Sequence, residues 1–162
     1  MKTKNNIKKK EKTPISIVLI IIWMGYMAFR VLSKLINLKR FELNSQLLGE
    51  SMARFNYIMD AIILVAFIIL IVFFILRKRN SWKYFIYLIA ILIIGHIIGL
   101  FYIDKLKILL PLDSPEAENF VVTFTYIITF LLILFHSFLI YIVYKKRNYF
   151  LNYNANSNQQ RK

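Results

Sequence analysis

Five side chains could do chemistry within long apolar stretches of this sequence: Asp60, His96, Thr125, Thr129 and His136. A carboxylate and an imidazole can exchange protons near neutral pH, and hydroxyls between them can bind or pass on a polar ligand. Each lies within or at the start of a run of Ile, Leu, Val and Phe, where a polar group facing lipid is costly. They must therefore face protein or water. At 100° per residue, Thr125, Thr129 and His136 fall within roughly 40° of one another on a helix, and Glu118 continues the stripe. The bland account is packing, with the threonine hydroxyls bonded back to carbonyls of their own helix and His96 fixing an interhelical contact. The functional account makes the five residues a polar seam that binds a ligand.

The two histidines are not expected to meet. His96 lies roughly 21 Å along its helix from the end marked by Arg77–Arg79, and His136 lies roughly 12 Å along its own from the end marked by Lys145–Arg147. The mismatch of roughly 9 Å argues for an outer cluster of Asp60, His96 and Thr125 or Thr129. Asp60 is only one turn into its run, so its carboxylate can equally reach the headgroup level. Beside His96, Gly95 and Gly99 share a helix face on which a second helix can approach closely. Packing inside the monomer is the first expectation for that face, and homodimerisation the second.

Other chemistry is missing. There is no cysteine, which excludes disulfides, thiol catalysis and thiolate metal sites. No HExxH, Gly-rich phosphate loop or nucleophile elbow occurs. His96 has no neighbouring ligands in sequence, so no metal site is expected. Ser137 adjoins His136, but adjacent helical residues point about 100° apart. The chain is expected not to be an enzyme and to carry no cofactor.

The elements that must position these groups are long apolar helices. Of 162 residues, 59% are hydrophobic, more than a soluble domain of this size can hide. Four spans are expected, at about 14–32, 57–76, 82–103 and 120–144. A run of 20 residues rises about 30 Å as a helix, the thickness of a hydrocarbon core. Ser114-Pro115-Glu116 marks a helix start: a capping hydroxyl, proline at the first helical position and an acid near the positive helix end. Residues 33–56 mix Leu32, Leu35, Ile36 and Leu43 with Lys34, Lys39, Arg40 and Glu42. They fit either an interfacial helix or extensions of the first two spans. Asn44 or Ser45 is the expected cap of the second. The first run also resembles a secretory signal core, but Val31-Leu32-Ser33 is a poor cleavage site, so a retained helix is expected.

The net charge of +14 would suggest nucleic acid in a soluble protein. Here the cations sit at the ends of apolar runs, which points to orientation and anionic lipid instead. The segment 1–13, the Arg77 turn with Lys83, and the segment from Lys145 onward hold 15 of the 22 Lys and Arg. That bias places both termini in the cytoplasm. The fold class is therefore an all-α, integral membrane bundle of four transmembrane helices. A basic tail (1–13) and a polar tail (148–162) flank a membrane domain (14–147). The layout is similar to that of small four-span membrane proteins of bacteria and archaea, and the Ile-, Lys- and Asn-rich usage suits a prokaryotic genome. The expected role is a non-enzymatic accessory or interaction protein of the cell membrane, with a homodimer or membrane-protein partner and anionic lipid at the cytoplasmic face. The alternative is a small oligomeric permease or channel using the polar seam.

Overall fold

The computed structural model describes residues 13–101, 103 and 114–151. The expected basic tail up to residue 12, Tyr102, most of the acidic connection and the end of the polar tail lie outside these. Among the described residues the fold is all-helical, with no strand. Its elements are α1 (Ile15–Ile36), α2 (Leu38–Leu48), α3 (Glu50–Ile75), α4 (Ser81–Leu100) and α5 (Pro115–Lys145). α1, α3, α4 and α5 are long and apolar enough to cross a membrane.

Local chemistry sets the boundaries. At the start of α5, the Ser114 hydroxyl accepts from the Ala117 N–H at 3.2 Å, Pro115 follows, and Glu116 and Glu118 occupy the first turn. The Pro14 carbonyl accepts from Ile17 and Val18 to open α1. The segment between the first two spans resolves both alternatives at once. α1 runs on to Ile36, and a separate short helix follows. Asn37 is extended, and its Oδ1 accepts from the Arg40 N–H at 3.4 Å, which caps α2. The expected caps Asn44 and Ser45 lie inside α2 instead. α3 starts seven residues before the apolar run, after Gly49, whose φ of +83° lets the chain reverse between α2 and α3. Helix geometry does not need an apolar side chain, so the hydrophobic run understated α3 and α5 at their polar starts.

The helices associate as two pairs. α3 packs along α1 and also carries α2, while α4 packs along α5; α3 meets α4 less extensively, and α1 meets α5 less still. Tyr57 of α3 donates to the Leu35 carbonyl at 2.9 Å, and its ring meets Phe41 of α2 edge-on. The largest cluster of buried side chains lies towards one end, while Val31, Ala53 and Ile103 are buried outside it. The cluster comprises Ile17, Ile20, Met24 and Ala28 of α1, Phe67, Leu70 and Phe74 of α3, Phe85, Leu88 and Ile89 of α4, Leu139 and Val143 of α5, and Tyr149 and Phe150 after it. The spacings of three and four put each helix's set on one face. These positions fall at the start of α1 and α4 and the end of α3 and α5, so the core lies towards the Arg77 turn. Towards the other end, no residue from Leu92 to Leu100 or from Pro115 to Phe135 is buried.

The packed end is also tied by polar groups. Arg77 and the Tyr149 hydroxyl both donate to the Thr13 hydroxyl, at 2.9 and 3.0 Å, and the Arg77 guanidinium lies 4.7 Å from the centre of the Tyr149 ring. Residues 147–151 continue as helix, with Phe150 fully buried against Phe74 at 4.9 Å between ring centres. The start of the expected polar tail is thus part of the core: two aromatic side chains outweigh the Asn-rich composition around them.

Candidate functional site

α5 turns the expected stripe inward. Thr125 and Thr129 are half-buried, and His136 is 2% exposed. Each threonine hydroxyl donates to the carbonyl one turn back, Thr125 to Val121 and Thr129 to Thr125, both at 2.8 Å. Both hydroxyl protons are committed within α5.

The histidines do meet, contrary to the axial arithmetic. Their ring centres are 5.2 Å apart and the planes differ by 19°, a near-parallel stack between α4 and α5. The reason is direction. Helical side chains lean towards their own helix N-terminus. In an antiparallel pair, the His96 ring leans towards the Arg77 end and the His136 ring leans away from it, so the two close on each other. A rise per residue measures backbone positions and misses this.

The expected outer cluster is not formed. Among the described residues, no hydrogen bond or ion pair joins Asp60 to His96, Thr125 or Thr129. Asp60 is half-buried on α3, where its charge acts on Lys34 of α1, and Lys34 and Arg30 in turn act on His96. Two elements, α1 and α3, therefore bring charge near the seam, with Lys34 half-buried and Arg30 exposed.

Around His136 the surroundings are aromatic. The Trp23 ring stands edge-on 5.6 Å away, and Trp23 also meets Phe67, Phe85 and Phe135 at 5.9, 6.2 and 6.2 Å. His136 Nδ1 is buried without a hydrogen-bond partner. Neither histidine makes a hydrogen bond among the described residues. No group of three His, Asp or Glu side chains there comes together in a way that could hold a metal ion.

Gly95 and Gly99 do not lie in a seam of the monomer. A Cβ built on either meets nothing within 4 Å, and both are exposed beside Ile91, Ile94 and Ile98. His96 and Leu92 occupy the inward face of α4 in their place. The close approach expected inside the bundle is absent because α4 contacts α5 through larger side chains.

No protein-family model, no curated protein and no solved structure matches this chain. The fold thus defines the class alone: a small all-helical protein with four helices suited to a membrane.

Proposed function

We propose that this is a multi-pass cell-membrane protein with cytoplasmic termini that works by binding another membrane protein or a second copy of itself, without catalysis. The observation that carries this reading is the outward glycine face of α4. Gly95 and Gly99 sit one turn apart with open space above them, flanked by exposed isoleucines. Lipid gains little from such a face, whereas another helix can approach its backbone closely. The cations gathered at the Arg77 end support the orientation. Lys83, Lys145 and Arg147 there lie over the rings of Trp82, Tyr141 and Tyr144, which suits an interface with anionic headgroups.

Native co-purification with mass spectrometry tests the reading. A defined partner or a homodimer is expected, and Gly95→Leu with Gly99→Leu should weaken the association at least roughly tenfold, about 1.4 kcal/mol. A strictly monomeric protein without a co-purifying partner would end the proposal. The permease reading rests instead on charged and hydroxyl groups that are half-buried within apolar helices. It predicts that cysteines at Thr129 and His136, in this naturally cysteine-free chain, react with water-soluble thiol reagents. Protection at both positions counts against a pathway.

A further inference from the structure

We propose that the outward face of α1 docks a transmembrane helix of another protein, one that presents a carboxylate to Arg30. The inference rests on the reading that α1 crosses a membrane, and it concerns a different face from the glycines of α4.

Helical spacing divides α1 into two faces. Ile17, Ile20, Met24, Ala28 and Val31 are buried and share the face turned to the bundle. Roughly 150° round the helix, Ile15, Leu19, Ile22, Tyr26, Arg30 and Ser33 form a second face, and all of them are exposed. The inner half of that face is aliphatic and suits lipid. The outer half carries a phenol, a guanidinium and a hydroxyl at successive turns. The Ser33 hydroxyl donates to the Phe29 carbonyl at 3.0 Å and is satisfied within α1. Among the described residues, neither Arg30 nor the Tyr26 hydroxyl makes a hydrogen bond or an ion pair; the ion pair present joins Arg54 to Glu50 within α3.

Depth makes this costly. Arg30 lies roughly 22 Å along α1 from Ile15 and roughly 7 Å short of Leu35. The Leu35 carbonyl accepts from Tyr57 at 2.9 Å, which sets it level with a ring suited to the outer headgroups. Arg30 is therefore within the hydrocarbon. Helical side chains lean towards their own N-terminus, here the inner side, so snorkelling outward runs against that lean. A charge at this depth calls for a partner.

The chain does not supply one. Asp60 lies at the same height, roughly 22 Å along α3 from Ile75, since Arg77 and Thr13 tie the α3–α4 turn to the start of α1. It shares the inward face of Phe67 and Phe74, however, and its charge bears on Lys34. A second copy docking α1 on α1 in the same orientation would oppose two Arg30 side chains. A carboxylate on a different protein's helix meets the guanidinium in a charge-assisted pair, with Tyr26 one turn deeper as a further donor.

The full chain is reconstituted in phosphatidylcholine vesicles with a labelled leucine-rich transmembrane peptide. The peptide bears Glu about 8 Å from one end of its apolar run, or Leu at the same place. Energy transfer between peptide and protein reads their association. The Glu peptide should bind about tenfold more tightly than the Leu peptide. Arg30→Leu should abolish the preference, and Arg30→Lys should keep part of it. Arg30 is exposed, so both variants should fold, and circular dichroism checks this. Gly95→Leu with Gly99→Leu should leave the preference unchanged. Its loss in that variant would place the peptide on α4, which overturns this proposal and leaves the association reading intact. Equal binding of the two peptides, or a preference that survives Arg30→Leu, would also overturn it. So would a preference that disappears when phosphatidylglycerol is added, since Arg30 would then belong to lipid headgroups.

Discussion

A hydroxyl and an imidazole buried in apolar helices have unequal means of satisfying themselves. Thr125 and Thr129 reach carbonyls of their own helix at 2.8 Å and need nothing from outside it. A histidine nitrogen lies further from its backbone, and His136 Nδ1 finds no such acceptor or donor. The consequence is measurable. Thr129→Val keeps the volume and loses only a local bond, so its cost should stay within about 0.5 kcal/mol in reversible unfolding from lipid or detergent. A loss above about 2 kcal/mol would mean that the hydroxyl serves a neighbouring helix instead. Both readings of the stripe were open in the sequence. Helical spacing placed these residues on one face, but it was silent on which bonds they make.

The helices differ in what ends them. α5 begins where its sequence says it should, since Ser114, Pro115 and the two glutamates act locally. The break between α1, α2 and α3 is also local, but it depends on two residues with little prominence in a pattern of apolar runs. Asn37 stops α1 and caps α2, and Gly49 takes a left-handed φ that other residues adopt at a cost. Gly49→Ala should therefore lower stability by about 1–2 kcal/mol even though nothing lies within 4 Å of the added Cβ. The check is thermal unfolding alongside Gly25→Ala, an equally open glycine within α1, where alanine should be neutral or stabilising. Equal effects at both positions would remove backbone conformation as the cause.

Across the whole molecule, close packing is concentrated towards one end. Thr13, Arg77 and Tyr149 join the start of α1, the α3–α4 turn and the segment after α5, and Phe150 closes the core beneath them. Phe150→Ala removes a fully buried ring, with an expected cost of about 3–5 kcal/mol. Limited proteolysis should show the loss as early cleavage near residues 76–80, because the turn and Phe150 share the same packed end. Unchanged cleavage there would mean that the two pairs of helices hold together without this plug. The loosely packed half holds Asp60, Lys34, His96 and the threonines, so the groups with chemical potential sit where the helices have most room to move.

Composition and periodicity alone were sufficient for the four apolar helices, the Ser114 start and the shared face of Thr125, Thr129 and His136. These follow from interactions within a few residues, or from apolar length. Only the tertiary structure decided which faces turned inward. Gly95 and Gly99 point out and His96 points in, because packing selects one face of α4 and an apolar sequence all round the helix does not mark it. The stacking of His96 on His136 belongs to the same kind of fact. It depends on the lean of side chains in antiparallel helices and on how far each helix slides past the other, and neither quantity is written in the spacing of residues along one chain.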